Sequence, residues 1–148
     1  MKYTKEISNK LNELLEKNYD AEAGYIAAKE NVKNSNLKNF FKERATDRYD
    51  FGHELKDEIK SYGEEPDKGT SWKGEAHRAW MNLKSTFSSN SDDAILQEAI
   101  RGEKAALEDY NKIIQNADLT PSTKKVLEKQ RDSVQSALDM VKTVEDFI

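Results

Sequence analysis

A chain of 148 residues, 35% charged and 36% hydrophobic, with only six glycines and two prolines, suits a single domain of amphipathic helices and not a disordered tail. Its net charge of -4, with Lys and Glu interspersed, leaves no basic footprint for a nucleic-acid partner. The absence of cysteine excludes disulfides, thiolate metal sites and cysteine nucleophiles. No apolar run approaches the roughly 20 residues of a membrane span, and "MKYTKEISNK" lacks a leader's hydrophobic core, so no membrane partner and a cytoplasmic location are expected.

Helix A is predicted over about 4–32, where Ile7, Leu11, Leu14, Leu15, Tyr25, Ile26 and Val32 recur at helical spacing. The polar run "KNSN" breaks it. Helix B, about 36–62, carries Leu37, Phe40, Phe41, Ala45, Phe51, Leu55, Ile59 and Tyr62, and Gly63 follows as its C′ residue. The turn-rich "GEEPDKGTS" comes next, then a short crossover helix at about 72–87 with Trp72, Ala76, Trp80, Leu83 and Phe87. Ser91 and two aspartates start helix C, about 92–115, with Ile95, Leu96, Ala99, Ala106, Leu107, Tyr110, Ile113 and Ile114. Thr120 caps helix D and Pro121 sits in its first turn. That helix, about 121–147, carries Val126, Leu127, Val134, Ala137, Leu138, Val141 and Val144.

Two antiparallel hairpins joined by one long connection give an all-α, ferritin-like four-helix bundle, because a simple up-down bundle would use a short central loop. Residues 1–148 are read as one such domain.

Turning each helix by about 100° per residue shows which polar residues face inward. Asp50-x-x-His53 has the spacing of a metal half-site, but both point roughly 140° away from the Leu37, Phe41, Ala45, Leu55 and Ile59 stripe, which is centred on Arg48. On helix A, Glu22 lies within the arc of Leu11, Leu15, Tyr25 and Ile26, with Asn18 one turn before it. On helix C, Glu103 lies among Ala99, Ala106, Leu107 and Tyr110, and on helix D, Gln130 lies between Val126, Val134, Ala137 and Val141. Each helix therefore offers one strongly polar residue to a buried cluster of Glu22, Arg48, Glu103 and Gln130.

Two-metal carboxylate centres need about four carboxylates and two imidazoles. This inward set has two carboxylates, an amide and a guanidinium that cannot donate a lone pair. Arg48, seconded by Arg44, is expected to occupy the metal space and bridge Glu22 and Glu103, so no cofactor is favoured. The alternative is a carboxylate-bridged protein binding iron, manganese or zinc through Glu22, Glu103, Asp50 and His53. A further alternative is a helical assembly module, a homo-oligomer using exposed aromatics such as Trp72 or Phe147. Tyr25 and Tyr110 read as core residues with bonded hydroxyls, and the lone His77 is a poor ligand. No nucleophile-elbow, phosphate-loop or dinucleotide motif is present, so a non-catalytic protein is expected.

"AHRAWMNLKS", "ERATDRYDFGHEL" and "EAIRGEKAALEDY" resemble the signatures of a bacterial family of ferritin-like four-helix proteins of unknown function, remote relatives of the ferritin and rubrerythrin superfamily. The resemblance covers nearly the whole chain. It implies a ferritin-like bundle without an established activity, with Glu22, Arg48, Glu103 and Gln130 as family features and Asp50 and His53 individual to this chain. Members often carry a histidine near the middle of helix D, where this sequence has Leu138, a departure that weakens a metal reading further.

Overall fold

The computed structural model describes residues 2–67, 92–116 and 118–145. The expected crossover helix at 72–87, with Trp72, His77 and Trp80, lies outside the described residues, as does Phe147. Four α-helices follow in chain order: α1 (Lys2–Asn31), α2 (Ser35–Ser61), α3 (Asp92–Ile114) and α4 (Pro121–Glu145). No helix among the described residues is long and apolar enough to cross a membrane.

The helix ends follow from local chemistry. The Asn34 side chain accepts hydrogen bonds from the Asn36 and Leu37 amides, satisfying two otherwise orphan donors at the start of α2. At the other end Gly63 takes a positive φ of 79°, and its amide donates to the Lys60 carbonyl at 2.9 Å. A side chain would be strained in that conformation, so glycine closes the helix. The Thr120 hydroxyl accepts from the Thr123 amide as α4 begins at Pro121.

The helix ends also set the topology. The Asp92 carboxylate accepts from the Lys33 and Asn34 amides at 2.9 and 2.8 Å, which brings the start of α3 to the α1/α2 turn. At the opposite end Tyr62 donates to Thr123 at 2.9 Å and accepts from the Thr120 amide, joining the end of α2 to the start of α4. Consequently α3 runs parallel to α2, and the connection between them joins opposite ends of the bundle, roughly 40 Å apart at 1.5 Å per residue. This is the ferritin-like arrangement. Helix α1 packs on α2 and α3, and α4 packs on α3 and α2, so α2 and α3 face each other across a diagonal.

Buried positions recur at alternating steps of three and four, with half-buried Ala21 filling the step between Asn18 and Tyr25: Ile7, Leu11, Leu14, Asn18, Tyr25, Ala28 and Val32 on α1, and Thr123, Leu127, Gln130, Val134, Ala137 and Val141 on α4. A period near 3.5 keeps one face against its neighbours in a left-handed bundle. The apolar core falls into two clusters. One, near the α1/α2 turn, contains Tyr25, Val32, Leu37, Phe41, Ile95 and Leu96, with Tyr25 stacked on Phe41 at 5.9 Å. The other contains Ile7, Leu11, Leu15, Leu55, Ile59 and Leu127 toward the far end. Each fully buried aliphatic side chain contributes about 1.5–3 kcal/mol. A polar layer centred on Asn18, Arg48 and Glu103 lies between the two clusters and reaches into the second through Tyr110 and Gln130.

Candidate functional site

The polar layer is built from one residue on each of α1, α2 and α4 and two on α3. Arg48 projects from α2 across the diagonal, a span that needs its long side chain. Its Nη2 donates to Glu103 Oε1 on α3, and its Nη1 donates to Asn18 Oδ1 on α1 at 2.7 Å. Asn18 Nδ2 donates to the Leu14 carbonyl at 2.9 Å and to the Tyr110 hydroxyl at 3.1 Å. Tyr110 donates in turn to Gln130 Oε1 on α4 at 2.6 Å. Gln130 Nε2 donates to the Phe51 carbonyl and to Glu54 Oε1, and Glu54 pairs with Lys129 at 3.0 Å. A continuous hydrogen-bond chain therefore runs from Glu103 in the interior to an exposed ion pair between α2 and α4.

Burial governs the electrostatics. The Arg48 and Glu103 side chains are each 4% exposed. Burial works against the Arg48 charge, yet the opposing Glu103 carboxylate holds its pKa above the ordinary guanidinium value. The two phenols shift in the direction that burial dictates. Tyr110 is pushed up to about 12, chiefly by desolvation and against the pull of Arg48. Tyr25 is raised well above its usual value by burial first and then by the charge of Glu103.

Of the residues picked out by periodicity, Arg48, Glu103 and Gln130 are buried and belong to this chain of bonds. Glu22 does not. It is half-buried, its charged neighbours are His53 and Lys56, and burial raises its carboxyl pKa against their pull. The bridge from Arg48 to Glu22 is corrected to one from Arg48 to Asn18. The physical reason is the seam on α1, which steps at 3.5 residues through Asn18, Ala21 and Tyr25. A 3.6 period centred on bulky residues drifts toward Glu22 and Ile26, and Ile26 is 41% exposed. Arg44 also turns aside: it lies over the Phe40 ring at 5.1 Å and pairs with Asp47 at 3.0 Å.

Asp50 and His53 are exposed, and His53 stacks edge-on against Tyr49 at 4.5 Å. The alternative set of Glu22, Glu103, Asp50 and His53 is thus split between the outer face of the α1/α2 hairpin and the interior. Among the described residues no group of three or more His, Asp or Glu could hold a metal ion. Among the described residues the interior offers one carboxylate, already paired with a guanidinium, and two amides committed to other partners. This donor set does not fit a pair of divalent ions.

Two features carry weaker sequence signals. Tyr110 is the hub between Asn18 and Gln130, marked in the sequence only as a core aromatic. The layer also opens to one side, where Asn18, Arg48, Glu103 and Tyr110 line a cavity of about 500 Å³ between α1 and α3. Its signal is small residues, Ala21, Gly24 and Ala28 facing Ala99, Gly102 and Ala106, at positions where large apolar side chains would close the gap.

Residues 6–116, spanning nearly all of α1 through the end of α3, match the profile described as "Domain of unknown function (DUF2383)". The chain belongs to the DUF2383 family. The match takes in Asn18, Arg48, Glu103 and Tyr110 and stops short of α4, so Gln130 stands outside it. Among solved structures, this DUF2383 chain is similar to the bacterioferritin-related protein from Bacteroides fragilis, a dodecameric thioferritin. The TM-score is 0.76 and the identity 15%, over 95% of this chain and 84% of that one. At that identity the likeness establishes the fold. No curated protein matches the chain.

Proposed function

We propose that this DUF2383 protein is a non-catalytic ferritin-like bundle in which an ion pair and its amide and phenol partners take the space of a two-metal carboxylate centre. The observation that carries this reading is the buried pair of Arg48 and Glu103, which brings a fixed positive charge to the middle of the bundle. A guanidinium has no lone pair for a metal and repels one, while its donors bind the carboxylate that a metal would need. Its role is then binding or structural.

The test is total metal content by mass spectrometry on untagged protein from cells supplemented with iron and manganese. Metal far below one ion per chain is the expected result, and near two ions per chain would overturn the reading. Iron deserves first place in that measurement because the structural neighbour is a thioferritin.

The same neighbour supports a second reading, that this chain also assembles as a homo-oligomer, since that protein is a dodecamer. Sedimentation velocity across a range of concentrations tests it. A species of monomer mass at every concentration would remove it.

A further inference from the structure

The cavity between α1 and α3 has the dimensions and lining of a small-molecule site, and that bears on what a metal-free bundle of this kind could bind. At about 500 Å³ it falls within the roughly 300–1,000 Å³ of ordinary ligand pockets. Its walls are mostly apolar. Its floor is the polar layer, where the guanidinium of Arg48 has five N–H donors, of which Asn18 and Glu103 take one each in the bonds described. At the mouth Lys17 pairs with Asp109, and Arg101 with Glu98. Apart from Asp20, each charged residue lining the cavity therefore pairs with one of opposite sign that also lines it.

We infer that this cleft binds an uncharged, mainly apolar molecule whose small head both donates and accepts hydrogen bonds, an alkyl alcohol or amide in chemical class. This deepens the metal-free reading, on which it rests. A carboxylate head would meet Glu103 and an ammonium head would meet Arg48, and in each case one buried charge would be left without a partner. A neutral head loses nothing on that account, because it can accept from Arg48 and donate to Glu103 while their bond persists. The Tyr25 and Tyr110 phenols, both pushed upward by burial, remain neutral at physiological pH and add no charge to the floor.

Two glycines supply the decisive variants. A Cβ built at Gly24 or Gly102 meets no heavy atom within 4 Å, although both residues line the cleft. Leucine at either position therefore enters open space, on a helix that tolerates leucine far better than glycine.

The experiment titrates the full-length protein with decan-1-ol, decanoate and decylammonium, probes that share one chain and differ only in the head, using ligand-observed NMR and thermal shift. Decan-1-ol is expected to bind saturably and raise Tm, and the two charged probes to bind about tenfold or more weakly. Gly24→Leu and Gly102→Leu are expected to abolish binding while keeping or raising Tm. Equal binding of the charged probes, or no saturable binding of the alcohol, would overturn the inference. So would a fall in Tm in both leucine variants, because it would mean that protein surface, from this chain or a second copy, already packs in the cleft. Metal content is measured separately, so failure here and failure of the metal-free reading are distinguishable.

Discussion

Arg48 and Glu103 meet across the diagonal of the bundle, on helices that do not pack side by side, with each side chain 4% exposed. Breaking such a pair leaves one desolvated charge behind. Arg48→Ala or Glu103→Ala is expected to lower stability by about 3–5 kcal/mol, measured as a shift in the urea midpoint. Replacing both together, with Met at 48 and Leu at 103, should recover most of the loss, since no charge is then stranded. Single variants within about 0.5 kcal/mol of the parent would mean that the pair is solvated in solution.

Asn18 and Glu22, one turn apart on α1, should differ sharply. Asn18 accepts from Arg48 and donates to Tyr110, so Asn18→Ala is expected to cost about 1–3 kcal/mol by leaving buried partners unsatisfied. Glu22→Ala should stay within about 0.5 kcal/mol, as at an ordinary surface position. Denaturation curves of the two variants, run side by side, decide the matter, and the opposite ranking would put the α1 seam through Glu22.

Tyr110 makes stability sensitive to alkali. Its folded pKa of about 12 exceeds the usual 10.0, so the folded state holds this proton more tightly than the unfolded chain does. The resulting contribution is fully present below pH 10.0 and is lost as pH rises toward about 12. Following phenolate absorbance together with far-UV circular dichroism should show late-titrating tyrosines ionising as the helices melt. In Tyr110→Phe the melting should depend less on pH over this window. Early, fully reversible ionisation of all six tyrosines with the fold intact would contradict the burial of Tyr25 and Tyr110.

Glycine-to-alanine changes should have opposite signs at two positions. Gly63 sits at φ 79°, where a Cβ is strained, so Gly63→Ala is expected to cost about 1 kcal/mol. Gly102 is in the interior of α3 with open space around its Cβ position, so Gly102→Ala should gain about 0.5–1 kcal/mol. Thermal melts of the two variants provide the comparison, and a loss at Gly102 would show that the cleft is already filled.

By itself the sequence determined the four described helices, the Gly63 and Thr120 ends and the class of bundle. Each of these depends on residues close together in the chain: the spacing of Leu37, Phe41 and Ile59, the Thr120 hydroxyl beside Pro121, the backbone freedom of Gly63. The position of Arg48, Glu103 and Gln130 on the apolar stripes is likewise a property of single helices. The tertiary structure alone decided which polar groups meet. A helix read in isolation has a stripe some 100° wide, and a small drift in period exchanges Asn18 for Glu22 at its edge. Only packing fixes the rotation of each helix against its neighbours, and with it the diagonal bond, the role of Tyr110 as hub and the gap that small residues leave between α1 and α3.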